Sequence, residues 1–193
     1  MYEIELKARI ASIAETEAQV RTFAEFLGSC DKHDTYWTRT ITGQPEQRIS
    51  IRIREETRGG DVRCAVTYKR KETRRSNDGA AYEVNDEQEF HIDSRTAFEA
   101  FLRDDGFAPE FCKHKRARQW KTDTVLIELC DVERLGAFIE LEILSDGAGA
   151  QRVTDAVSEL HTVLARCGVS RSAVEARYYS ELLREAEQGE QHV

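Results

Sequence analysis

The sequence predicts an α+β domain built on a closed antiparallel β-barrel of about eight strands, with a few helices covering its outside. Three observations carry this expectation. Strand-like segments alternate apolar and charged residues along much of the chain. Their charged faces recur too often for one wet side, because a sheet with many such faces either lies open to water or curls around a polar interior, and closure also hides strand edges. Such a polar interior needs helices outside to supply apolar packing, and the chain contains several helical patterns.

The first strand runs from Tyr2 to Ile10, with Ile4, Leu6, Ala8 and Ile10 on one face and Glu3, Glu5, Lys7 and Arg9 on the other. Ser12 then opens a helix whose apolar stripe is Ala14, Val20, Phe23, Ala24 and Leu27, with Gly28 as its C-cap. A strand follows over 30–40, and Thr42-Gly43-Gln44-Pro45 forms a turn. Arg48 to Glu55 alternates strictly, with Ile49, Ile51 and Ile53 opposite Arg48, Ser50, Arg52 and Arg54. Gly59-Gly60-Asp61 reverses the chain into a strand from Val62 to Lys71, which carries Thr67, Lys69 and Lys71 on one face.

The polar stretch Arg74 to Gly79 reads as a mobile hairpin tip, and Ala81 to Ile92 as the returning strand with Glu87 and Glu89 on one face. Ser94 caps a helix ended by Gly106, with Phe98, Phe101 and Leu102 facing inward. Three more strands are expected over Ala108 to Trp120, Thr124 to Val132 and Ala137 to Leu144. In the last of these Phe138, Glu140 and Glu142 share a face. Two terminal helices follow, Gln151 to Cys167 and Ser172 to Ala186. With no interdomain linker in view, residues 1–186 form one domain and 187–193 a disordered polar tail.

Composition narrows the function. A net charge of −8 argues against a broad nucleic-acid or anionic-membrane surface, so neither is an expected partner. Cations are nonetheless bunched between Arg48 and Arg75 and again between Lys113 and Lys121, which suggests a small, highly charged anion as ligand. Five widely spaced cysteines without a C-x-x-C pair suit a reduced, cytoplasmic setting. The charged N-terminal stretch does not read as a signal peptide, and no apolar run is long enough to span a bilayer.

Taken together, several motifs resemble one family. Glu3-x-Glu5-x-Lys7, Asp34-x-Tyr36, Ile51-Arg52-Ile53-Arg54, Thr67-Tyr68-Lys69, Glu87-x-Glu89, Arg116-Ala117-Arg118, Asp131 and the run Leu135-Gly136-Ala137-Phe138-Ile139-Glu140-Leu141-Glu142 are similar to the CYTH superfamily, the triphosphate tunnel metalloenzymes. The resemblance extends from Met1 to about Leu183. It implies a divalent-metal-dependent enzyme acting on a triphosphate inside a β-tunnel. Members hydrolyse inorganic tripolyphosphate or thiamine triphosphate, or cyclise ATP to cyclic AMP and pyrophosphate. Homodimers are common among the resembling cyclases, although nothing in this sequence marks an interface.

The physical chemistry agrees with that implication. Neutralising a triphosphate inside a walled cavity takes several fixed cations, and guanidinium groups suit bidentate phosphate contact. The phosphate-binding candidates are Lys7, Arg52, Arg54, Lys69, Arg116 and Arg118, with Lys115 and Lys113 as further members whose direction the spacing leaves open. Carboxylates beside such cations make sense if a hard divalent cation stands between them and phosphate oxygens. By resemblance, Glu3, Glu5, Glu140 and Glu142 bind Mg²⁺ or Mn²⁺, with Glu87, Glu89 and Asp131 as weaker candidates. Glu5, Glu140 and Lys7 are the residues expected to carry catalysis. For Glu87 and Glu89 the competing reading is an ion pair with a facing arginine.

Within the family, hydrolysis ranks ahead of cyclisation, because Trp37-Thr38-Arg39-Thr40-Ile41-Thr42 departs from the cyclase pattern, which has phenylalanine where Trp37 stands. A protein that binds a polyphosphate or nucleotide without turnover is the third reading, and the retained acids speak against it. The five histidines lack the local spacing of a zinc site and read as structural or exposed. Tyr36, Trp37 and Trp120 read as core or rim packing, and Tyr178 and Tyr179 as pins of the last helix.

Overall fold

The computed structural model describes residues 2–41, 47–75, 81–147 and 149–190, apart from the side chains of 47, 69–75, 81, 83–87, 150, 189 and 190. Eight antiparallel strands form a single curled sheet: β1 (Tyr2–Arg9), β2 (Glu25–Ile41), β3 (Gln47–Arg58), β4 (Asp61–Arg75), β5 (Ala81–His91), β6 (Ala108–Lys121), β7 (Leu126–Val132) and β8 (Gly136–Ser145). Four helices accompany it: α1 (Ile13–Val20), α2 (Arg95–Asp104), α3 (Ala150–Arg166) and α4 (Tyr179–Glu190).

The strand order is β1-β5-β4-β3-β2-β6-β7-β8, with β1 hydrogen-bonded to both β5 and β8. The seam is uneven. Strand β1 pairs with β8 from Tyr2 to Arg9, but with β5 only from Tyr2 to Glu5 among the described residues. The expected closure is therefore seen in part: among the described residues the β1–β5 side of the ring is bonded over Tyr2 to Glu5 of β1 alone.

Alternation turns this sheet inside out relative to an ordinary small barrel, because its main core lies outside. Ile4, Leu6 and Ala8 of β1, Ile127 and Leu129 of β7, and Ile139 and Leu141 of β8 are buried against Val153, Leu160 and Leu164 of α3 and Val20 of α1. Each of the leucines, isoleucines and valines among them contributes about 1.5–3 kcal/mol by leaving water. A second outer cluster joins Trp37, Ile53 and Val66 to Leu102 of α2 and Phe107. The third cluster is internal. Cys30, Ala117, Cys130, Val132 and Phe138 plug one end of the barrel and receive Leu182 and Tyr179 from α4.

Several local expectations are corrected. The first helix ends at Val20, and Gly28 is not its cap but a residue of β2 at φ +123°, where the β2–β6 register shifts between Phe26 and Gly28. A bulge at that point needs a backbone angle that glycine adopts without strain. Leu27 and Phe101 are 39% and 59% exposed rather than core. The expected helix from Ser172 is a short 3-10 turn over Arg171–Ala173, with α4 starting only at Tyr179. Helix α4 continues to Glu190, so 187–190 are helical where a disordered tail was expected, and 191–193 lie outside the described residues. Much of the expected hairpin tip, 76–80, also lies outside them. Ser94 caps α2 as expected, its Oγ accepting from the Ala97 amide.

Candidate functional site

Period two sends one residue in two from each strand into the barrel interior, where they line a cavity of about 780 Å³. Strand β1 supplies Glu3, Glu5 and Lys7, and β8 supplies Glu140 and Glu142. The cations Arg48, Arg52 and Arg54 come from β3, Lys32 from β2, and Lys113 and Lys115 from β6. Helix α4 adds Tyr179 and Arg184 at one side.

The deep part of the cavity is a network of paired charges. Asp34, whose side chain is fully buried, accepts from Arg54 Nε at 2.6 Å and Nη2 at 2.9 Å, and Lys113 Nζ lies 3.1 Å from its second oxygen. Glu128 accepts from Lys32 Nζ at 2.5 Å and from Gln119 Nε2 at 2.6 Å, and its other oxygen meets Lys115. Lys115 also donates to Glu140 Oε2 at 2.6 Å, and the Tyr179 hydroxyl donates to Glu140 Oε1 at 2.7 Å.

These contacts set the protonation states. Burial would raise the Asp34 carboxyl, but Arg54 and Lys113 hold it well below its ordinary range. Burial opposes charge on Glu128 as well, and Lys115 and Lys32 overcome it, keeping the carboxylate ionised. Glu140 is lowered against its burial by Lys115. Lys115 itself is raised well above the usual lysine value, because Glu128 and Glu140 outweigh its desolvation. Burial and the neighbouring Glu140 push the Tyr179 hydroxyl up, so it stays a proton donor, and the same two causes keep the Cys130 thiol protonated.

The parity of β6 corrects the basic run. Lys113 and Lys115 point inward, whereas Arg116 and Arg118 point outward, with side chains 70% and 39% exposed; Arg116 lies near Asp31 and Arg118 donates to Glu17 of α1 at 2.7 Å. The two arginines are not in the cavity because each is one residue out of phase with the inward positions. Asp131 pairs in register with Arg116 and is exposed on the same outer face. Glu89 lines the cavity, accepts from Thr67 Oγ1 at 3.0 Å and sits 3.6 Å from Arg52, the ion-pair arrangement. The side chains of Lys69 and Glu87 lie outside the described residues. Trp37 and Trp120 belong to the outer clusters, while Tyr36 stacks on Phe111 at 4.2 Å on the cavity wall.

Sequence reasoning missed Lys32, Gln119 and Glu128 altogether. The signal was present: Lys32, Asp34 and Tyr36 alternate along β2, but only the β2–β6 and β6–β7 registers show that their face is inward. Arg184 had no local signal, since its place depends on where α4 docks; there it contacts Glu110, which also holds Arg48.

Metal ligation can be tested on these carboxylates. Glu128, Cys130 and Glu140 lie within 4.8 Å of one another, but Lys32 and Lys115 already occupy the cation positions beside them. Glu5 and Glu142 are direct register partners on β1 and β8, and Glu3 lines the same wall. Like charges facing each other across a strand pair are unfavourable by themselves, so this wall fits a hard divalent cation.

A family model for the CYTH domain matches residues 1–179. Among solved structures, PH1819 from Pyrococcus horikoshii is 27% identical, with a TM-score of 0.76 over 95% of this chain and 98% of its own. A Vibrio parahaemolyticus protein named for an adenylate cyclase is 16% identical, with a TM-score of 0.73 over 95% of this chain and 98% of its own. HpAC1 from Hippeastrum, named for an adenylyl cyclase and described by a dominant triphosphatase activity, is 17% identical, with a TM-score of 0.63 and 95% coverage of both chains. No match was found among curated proteins. No helix among the described residues is long and apolar enough to cross a membrane.

Proposed function

The chain belongs to the CYTH domain family, and on that premise we propose that it is a divalent-metal-dependent enzyme that hydrolyses a triphosphate held in the β-barrel cavity. The observation that carries this reading is a cavity of about 780 Å³ with cations on the β3 and β6 walls and glutamates on the β1 and β8 wall. A long polyanion can lie against the cations only if its remaining charge is met from the acidic side by a metal ion.

Each residue then has a distinct part. Glu3, Glu5 and Glu142 would hold Mg²⁺ or Mn²⁺, which when bound neutralises phosphate charge and favours in-line attack. Lys7, Arg52 and Lys113 grip the phosphate oxygens, and Arg48 and Arg184 attract the anion at the mouth. Arg54 is committed to Asp34 and Lys115 to Glu128 and Glu140, so both act chiefly by fixing the inner wall and its positive potential. Glu140 is correspondingly a charge partner of Lys115 and Tyr179 more than a metal ligand, which sharpens the first assignment. Preorganised charges of this kind work without rearranging during the reaction.

Cyclisation of ATP is the second reading, and one observation favours it. The stacked Tyr36–Phe111 pair on the cavity wall offers an aromatic surface of the kind on which a nucleobase packs. The Trp37 departure no longer weighs against it, because that side chain is buried outside the barrel under α2. Incubation with tripolyphosphate, thiamine triphosphate and ATP, each with Mg²⁺ or Mn²⁺, tests both. Orthophosphate release that falls at least about a hundredfold in Glu5→Gln supports the proposal. Cyclic AMP and pyrophosphate from ATP, with no orthophosphate, would replace it by the cyclase, and tight binding without turnover would leave a binding protein.

A further inference from the structure

The outer face of the β2–β6 pair carries a second set of ligating side chains that the cavity does not use. His33 and His114 are register partners, and their rings stack at 4.0 Å between centroids. Asp31 lies two residues before His33 on the same face, with one carboxylate oxygen 2.8 Å from His33 Nε2 and 3.0 Å from His114 Nε2. One ligand atom from each of the three falls within 4.8 Å of the others. The second nitrogen of His114, Nδ1, lies 3.2 Å from the Glu133 carboxylate.

That last contact gives the group a direction. The Nε2 of His114 faces both Asp31 oxygens at 3.0 and 3.1 Å, so a metal ion would take the place of the proton between them while Nδ1–H is donated to Glu133, and a carboxylate behind an imidazole is the usual support of a metal-bound histidine. We propose that Asp31, His33 and His114 form a transition-metal site, suited to Zn²⁺, with Glu133 orienting the His114 ring. Two imidazoles and one carboxylate favour Zn²⁺ over the hard cations expected in the cavity, and three protein ligands leave a fourth position for water. Arg116, whose Nε is 3.9 Å from Asp31, competes for the carboxylate, but its side chain is 70% exposed and can turn into solvent. The site stands apart from the cavity, since all three ligands project from the opposite face of the same two strands.

Calorimetric titration of metal-stripped protein with Zn²⁺, in the presence of saturating Mg²⁺, tests the assignment. Wild type and Glu5→Gln should each bind one equivalent, the second variant having lost one of the three carboxylates proposed to hold metal in the cavity. His33→Gln and His114→Gln should lose that equivalent, and Glu133→Gln should weaken it about tenfold. Melting in the same buffers gives an independent readout: Zn²⁺ should raise the midpoint of wild type and leave that of His33→Gln unchanged, with the two proteins alike in EDTA. Absence of the equivalent in wild type, its loss in Glu5→Gln, or its retention at full affinity in both histidine variants would overturn the proposal.

Discussion

Strand β6 carries cations on both of its faces, and the two pairs behave in opposite ways. Lys113 and Lys115 point inward, with side chains 5% and 3% exposed, and between them they meet Asp34, Glu128 and Glu140. Arg116 and Arg118 point outward, 70% and 39% exposed, and form single pairs with Asp31 and Glu17. Neighbouring residues of one charge are thus separated by the sheet into a desolvated, coupled set and a wet, independent one. Electrostatic interactions are strong in the first environment and screened in the second.

Lys115 tests the difference most severely. In Lys115→Met, Glu128 and Glu140 lose the cation they share, and breaking a buried pair in this way costs about 3–5 kcal/mol. Denaturant unfolding should show that loss, and turnover at saturating triphosphate should fall on the order of a hundredfold or more, because the inner wall loses a preorganised charge. Near-wild-type values for both would erase the contrast between the two faces.

Asp34→Asn comes next, at about 3 kcal/mol, since Arg54 and Lys113 keep each other's company without an anion. Acid makes the same change in the wild type. The folded pKa values of Asp34, Glu128 and Glu140 lie below their ordinary 3.8, 4.5 and 4.5. Their contribution is therefore complete above those ordinary values and is lost as pH falls through the depressed folded ones. Stability against urea should drop steeply below about pH 4, and the drop should be shallower in Asp34→Asn.

Tyr179→Phe probes the edge between the two environments. The hydroxyl donates to an ionised Glu140 while the ring packs on Phe138 at 5.1 Å, and the substitution keeps the ring. A loss of about 1.5–3 kcal/mol is expected from the charged hydrogen bond alone. Turnover should fall less than in Lys115→Met, because Lys115 still holds Glu140 in place.

How much of this was legible beforehand follows the same division. The face of β1 with Glu3, Glu5 and Lys7, and the face of β3 with Arg48, Arg52 and Arg54, were readable because each strand alternates without interruption. In β6 cations occupy successive positions, Lys115 beside Arg116, so periodicity could not choose the inward pair and the register against β2 and β7 had to. The His33–His114 pairing was invisible for the same reason: histidines far apart in the chain become neighbours only through strand pairing, which local spacing does not encode. Gly28 failed differently, since a glycine after an apolar stripe reads equally as a helix cap or a strand bulge.

The smallest expected effects lie on the outer face of β6, and they matter because they are the control for the rest. Arg116→Ala removes a guanidinium whose Nε lies 3.9 Å from an Asp31 carboxylate oxygen and whose side chain is mostly in water, so stability should stay within about 0.5 kcal/mol of wild type. Arg118→Ala breaks a 2.7 Å contact that ties β6 to α1, and solvent screening at a side chain 39% exposed limits the loss to about 0.2–1 kcal/mol. Neither side chain reaches the cavity, so Michaelis constants and turnover for a triphosphate should match wild type in both. A tenfold rise in the Michaelis constant of either would mean that phosphate is gripped from the outer face, and the assignment of Lys113 as the β6 residue that grips it would fall.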